Sequence, residues 1–205
     1  GALSLDGTFT PKEERFNSVG PTIGDELRRK SYTAMAVVIL AIILFIAFAF
    51  RKVSEPVSSW KYGLVAILAL VHDVIIPTGV FALLGQFSGA EVDVLFVMAL
   101  LAILGYSVND TIVVFDRVRE NLRINQDTHG KESFSDIVGH SLSQTYARSF
   151  NTSFTTFLVL GALYLFGGAA TTYFALTLMI GVIAGTYSSI FLASPLLVIL
   201  SGRKH

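Results

Sequence analysis

Residues 105–120 read GYSVNDTIVVFDRVRE, and this stretch decides the fold. It continues the apolar run 92–104 and ends in a basic, water-compatible segment, so Asn109 and Asp110 sit where a helix would still be inside a bilayer. An Asp near the centre of a spanning helix costs about 2.5–3.5 kcal/mol, so it faces a bundle interior or a water path and usually has a function. Asp110 is therefore the first candidate for chemistry.

Working outward, the chain has 205 residues, 53% of them hydrophobic, and 15 Lys+Arg balance 15 Asp+Glu. The apolar residues come in long unbroken runs rather than alternating patches, which indicates an integral membrane protein. Zero net charge and the lack of a basic patch interleaved with aromatics argue against nucleic acid as a partner. No Cys is present, which excludes a disulfide framework, thiolate metal ligands and a cysteine nucleophile.

Runs of about 20 apolar residues mark five membrane segments: 31–50, 60–84, 92–115, 149–166 and 172–200. The fold class expected is an all-α polytopic helix bundle. Segment 117–148 is too charged to span; Phe134, Ile137, Val138 and Leu142 fall near one helical face, so an interfacial helix over about 133–147 is expected to lead into the fourth span. Residues 1–30 are polar and broken by Gly7, Pro11, Gly20, Pro21 and Gly24, and begin Gly-Ala-Leu without a cleavable signal. They are expected to be the end of a truncated extracytoplasmic domain of a longer protein, with the transmembrane domain over 31–205.

Orientation follows from Lys and Arg in the short loops. Loop 51–61 carries Arg51, Lys52 and Lys61; segment 117–148 carries Arg117, Arg119, Arg123, Lys131 and Arg148; the C-terminus carries Arg203 and Lys204. Loops 85–91 and 167–171 carry none. This alternation places the C-terminus in the cytoplasm and the N-terminal tail outside. Arg28, Arg29 and Lys30 oppose it from the outer side, and Asp25 and Glu26 offset part of their charge.

On the third span Tyr106, Ser107 and Asp110 share a face by their spacing of four and three residues. On the fourth, Arg148, Thr152 and Thr155 or Thr156 form a similar stripe, and Arg148 at its edge is long enough to reach inward. An Asp–Arg pair across two helices lowers the cost of both charges, and a proton on Asp110 would break it. One proton crossing about 150 mV is worth roughly 3.5 kcal/mol, enough to bias a conformational equilibrium by some two to three orders of magnitude.

Plainer readings compete at each residue. Asn109 and Asp110 could be hydrogen-bonding glue between helices, and Arg148 a snorkelling anchor. His72 and Asp73 are two titratable neighbours within the second span, yet adjacent residues point to different faces, so a structural role stays open for each. Pro77 is read as a kink. Gly181 and Gly185 at GxxxG spacing are read as a close helix-packing site. No phosphate-cradling loop, hydrolase triad order or HExxH motif is present, and no second ligand accompanies His72 and Asp73 at metal spacing, so neither a metal nor another cofactor is expected.

The runs VGPTIGDELRR (19–29), ALVHDVIIPTG (69–79), GYSVNDTIVVFDRVREN (105–121), SLSQTYARSFNTSFTT (141–156) and LFGG followed by IGVIAGTYSSIFLASPL resemble, in order, the SecF family of the bacterial SecDF protein-export complex. The resemblance covers nearly everything from Val19 onward. It implies spans two to six of a six-span half similar to the resistance-nodulation-division (RND) superfamily, in the bacterial cytoplasmic membrane. It implies an accessory role in preprotein export, powered by the proton-motive force alone, with SecD, the SecYEG channel, SecA, the translocating preprotein and lipid as partners and no covalent catalysis. In the family the Asp of the GYSxND motif and the Arg that opens the next span belong to the proton path, and here these fall on Asp110 and Arg148, with Tyr106, Ser107, Asn109, Thr152, His72 and Asp73 as possible supporting residues. Two other readings compete: an RND-type small-molecule exporter, and an intramembrane aspartyl protease using Asp73 and Asp110, whose usual GxGD signature is missing.

Overall fold

The computed structural model describes residues 21–49 and 58–202. Among them the chain forms α1 (Pro21–Ala49), α2 (Ser59–Ser88), α3 (Val94–Asp127), α4 (Phe134–Phe166) and α5 (Ala169–Ser188), then a π-helical turn (Ser189–Ala193) that runs directly into α6 (Ser194–Ser201). Five helical stretches are long and apolar enough to cross a membrane, the last being α5, the π turn and α6 taken together. The all-α bundle expected from the apolar runs is the fold observed. Most of residues 1–30 lies outside the described part, but 21–30 are helical and extend α1 ten residues ahead of the expected start.

The helix ends have local causes. Asp93 caps α3 by accepting from the Phe96 amide at 2.8 Å, and Ser133 caps α4 by accepting from the Asp136 amide at 3.2 Å while its hydroxyl reaches back to the Asp136 carboxylate at 2.7 Å. Gly89 closes α2 at φ +69°, a left-handed conformation that glycine adopts without steric cost. Pro77 lies inside α2 without ending it.

One expectation is corrected here. The separate interfacial helix over 133–147 is instead the first half of the continuous helix α4. Its buried stripe, Ile137, Ser141, Thr145, Ser149 and Ser153, keeps one helical face from the charged end into the membrane. No proline interrupts it, so nothing stops the helix. The third span also runs on past residue 115 to Asp127. The two extensions pack as a hairpin beyond the bilayer: Asn121 donates to Ser141 at 2.8 Å and to Gln144 at 2.9 Å, and Arg117 bridges Gln144 and Glu120 at 2.5 and 2.6 Å.

α5 is the hub, packed against α2, α3 and α4, whereas α1 lies at the edge against α2 and α3. The closest approach is between α3 and α5. A Cβ at Gly181 would run into the Ile103 side chain, and one at Gly185 would lie 3.2 Å from the Ser107 Cβ. Small residues matter here because helices in lipid associate by close packing rather than by the hydrophobic effect. Below this contact Tyr62 sets its ring edge-on to Phe115 at 5.3 Å, both fully buried, a pair worth about 0.5–1.5 kcal/mol beyond its area. The outer surface is apolar, with Leu40, Leu83, Val159, Leu165 and Ile199 all exposed, which suits hydrocarbon rather than water.

Gly185→Val is expected to lower stability in detergent by about 1–3 kcal/mol through overpacking against Ser107. Gly161→Ala, with open space around the added methyl, should be neutral or stabilising by up to ~1 kcal/mol; the two unfolding midpoints check this. Ser133→Ala should cost about 1 kcal/mol, read as faster hydrogen exchange in the first turn of α4.

Candidate functional site

The site is a layer of hydroxyls and two carboxyls at mid-bundle. α3 contributes Ser107, Asp110 and Thr111 on its buried face. α2 contributes Asp73, α4 contributes Ser149 and Ser153, and the junction of α5 with the π turn contributes Ser188 and Ser189. All are buried. Apolar residues surround them, so the polar groups must satisfy one another.

Asp73 is 0% exposed and is held from three sides. Ser188 donates to Oδ2 at 2.7 Å, Ser107 donates to the same oxygen, and His72 Nδ1 meets Oδ1 at 2.9 Å. The near contact of Gly185 with Ser107 explains how two serines on different helices reach one carboxylate. Asp110, 8% exposed, is held less completely. Ser149 donates to Oδ1 at 2.6 Å. Ser189 is close to the same carboxyl, but Oδ2 lies buried without a hydrogen bond of ordinary geometry; the Ser189 hydroxyl also bonds Thr111 at 3.0 Å. A carboxylate oxygen left bare in a dry interior is costly while charged, and protonation relieves that cost. Each carboxyl is bonded to hydroxyls rather than to the other.

The π turn carries Ser189 and begins one residue after Ser188. Pro195 accounts for it: lacking an amide hydrogen, it cannot bond the carbonyl four residues back, and the helix widens by one residue there. The Ser194 hydroxyl bonds the Ser189 carbonyl at 3.0 Å, five residues back.

Of the residues picked from the sequence, Asp110, Ser107 and Asp73 come together in this layer. Tyr106 lies beside it, donating to Ser153 at 3.0 Å, and Ser153 bonds Thr186 at 2.5 Å. Arg148 does not pair with Asp110: it is exposed, and among the described residues no ion pair joins the two within 4.0 Å. Thr152 is exposed and Asn109 is exposed in a cleft beside Val38, Ile42 and Phe45 of α1. The face of α4 that meets Asp110 is Ser141, Thr145, Ser149 and Ser153, one residue beyond the Arg148–Thr152–Thr156 stripe, a rotation of about 100°. Those four hydroxyls at spacing four are a legible signal that charge drew attention away from. Ser188 and Ser189 carry a weaker one, the Pro195 that follows them. Gly181 and Gly185 sit at the α3–α5 contact. Among the described residues no group of three or more His, Asp or Glu side chains could hold a metal ion.

Residues 4–203 match the family described as protein export membrane protein SecD/SecF, C-terminal. The chain is 54% identical over 183 residues to the protein translocase subunit SecF of Thermobaculum terrenum, covering 89% of this chain and 56% of that protein. It is 43% identical over 190 residues to SecF of Synechocystis, covering 93% and 56%, and 40% identical over 187 residues to SecDF of Thermus thermophilus, covering 91% and 23%. The chain thus spans about half the length of the SecF relatives it matches. A crystal structure of SecDF in a super-membrane-facing form superposes with a TM-score of 0.73 at 37% identity, over 89% of this chain and 22% of that one. A five-span bundle built around buried carboxyls, matched along nearly its whole length, makes this multi-pass membrane protein a member of the SecD/SecF C-terminal family.

Proposed function

We propose that this chain is the membrane-embedded part of a SecF-type accessory subunit that uses the proton-motive force, together with SecD, to promote preprotein translocation through the Sec channel. The observation that carries this reading is Asp110, enclosed by α3, α4 and α5 with one oxygen bonded to Ser149 and the other buried without a bond. Such a group has reason to take up a proton, and taking it up changes how firmly α3 holds α4. Proton uptake and helix movement are then the same event.

Arg148 is the cation of the relay in this reading. It stands on the flank of α4 next to Ser149, free to approach or leave Asp110 as α4 turns, and the charge it exerts at the carboxyl supports that role. Tyr106, Asn109 and Thr152 would line the route by which water reaches it. SecYEG, SecA and the preprotein are the remaining partners, and no covalent chemistry by the subunit is involved. The alternation of basic loops supports a cytoplasmic C-terminus and an outer position for the Asp93 end of α3, in the bacterial inner membrane. In this reading the polar residues ahead of α1 belong to an extracytoplasmic domain.

In the full-length subunit with SecD, Asp110→Asn removes a drive of roughly 3.5 kcal/mol per proton, so proton-dependent export falls by about two orders of magnitude while insertion is unchanged. Late-stage export that persists at the wild-type rate in that variant excludes the reading. Arg148→Lys should keep part of the export that Arg148→Ala loses, because the charge remains while the guanidinium's geometry does not; equal loss in both assigns Arg148 a role other than its charge.

A further inference from the structure

Asp73 is the more enclosed of the two carboxyls, and the function above leaves it without a task. Its partners come from three helices: His72 on α2 itself, Ser107 on α3 and Ser188 on α5. Those of Asp110 come from Ser149 on α4, with Ser189 approaching from the far end of α5. Ser107 and Asp110 lie one turn apart on α3, and Ser188 and Ser189 are neighbours. The same two helices therefore grip both carboxyls, while α2 is tied through Asp73 and α4 through Asp110. Hydrogen bonds to a charged carboxylate are roughly twice as strong as neutral ones, so whichever carboxyl is neutralised loosens its own helix.

His72 is the part of this unit that reaches the surface of the bundle. Adjacent residues on a helix diverge by about 100°, and here that divergence lets the ring stand between inside and outside. Nδ1 turns inward to Asp73 at 2.9 Å, while the side chain keeps 27% of its surface exposed and stacks on Tyr187 with ring centres 6.2 Å apart. Histidine is the side chain whose ordinary titration falls near neutral pH. Of the other ionisable and phenolic groups, Tyr187 of α5 stacks on His72 and Asp110 of α3 is the neighbouring carboxyl; Tyr106 of α3 bonds Ser153, Arg148 of α4 is exposed, and the membrane part of α1 carries only Tyr32.

We propose that His72 and Asp73 form a second proton-binding unit, so that the relay consists of two carboxyl clamps on α3 between which the protonated state alternates. A proton taken up at His72 Nε2 makes the ring cationic; Nδ1 then passes its hydrogen to Asp73 Oδ1, leaving a neutral imidazole protonated at Nε2. Asp73, now neutral, holds Ser107 and Ser188 less firmly and α2 is released, while ionised Asp110 keeps α4 fixed. Loss of that proton with uptake at Asp110 reverses the two. This inference deepens the reading of Asp110 as the proton-binding group and rests on it.

The test uses the full-length subunit with SecD, with Asp110→Asn as the reference. Asp73→Asn should lose proton-dependent export by at least about tenfold while still accumulating and assembling with SecD. His72→Gln, which keeps a donor toward Asp73 but carries no imidazole, should flatten the pH profile of export. Infrared titration of Asp110→Asn and of the Asp110→Asn, Asp73→Asn double variant should differ by one protonated-carboxyl band. Wild-type turnover and pH profile in Asp73→Asn beside an inactive Asp110→Asn overturn the second unit and leave the proposed function standing, as does the absence of that band difference. Full export in Asp110→Asn sinks the proposed function and this inference with it. Should Asp73→Asn fail to accumulate, an unchanged His72→Gln pH profile overturns the proposal.

Discussion

A carboxylate sealed inside a bundle that faces lipid must be met by donors from the protein, because hydrocarbon supplies none and water is excluded. This constraint organises the middle of the molecule. Two carboxyls, Asp73 and Asp110, are enclosed by hydroxyls drawn from α3, α4 and α5. The hydroxyls are small, so they bond the carboxyls without holding the helices apart.

Close approach is the second requirement, and α5 meets it. Gly181 admits Ile103 and Gly185 admits Ser107, bringing α3 and α5 near enough for Ser107 and Ser188 to share one oxygen of Asp73. The widened turn at Ser189 then aims the next hydroxyl toward Thr111 and Asp110. Structure and electrostatics are inseparable here, since the backbone contact that packs the helices also delivers the donors. A bundle assembled this way is sensitive to the charge of either carboxyl, and it is this sensitivity that a proton-driven subunit can use.

Much of this was legible in the residues. Asp110 stood out because a charge in an apolar run of that length has few innocent explanations, and the glycine pair stood out because spacing of four places both on one face. Arg148 stood out for the same reason as Asp110, but opposite charge does not reveal rotation. The buried face of α4 runs through Ser149 and Ser153, and Arg148 lies beside it, exposed. His72 and Asp73 looked incompatible as neighbours, and only the ring's orientation reconciles them.

The amino-acid sequence by itself determined that the chain is a helical membrane bundle, where its apolar segments fall and which carboxyls are out of place in them, because segment length, hydropathy and charge are local properties. The tertiary structure alone decided which donors each carboxyl receives, that α4 runs unbroken from the charged hairpin into the bilayer, and that Asp110 keeps one oxygen unbonded. These depend on the rotation of each helix about its own axis, which is set by contacts between residues far apart in the chain, such as Gly185 with Ser107 and Asp73 with Ser188.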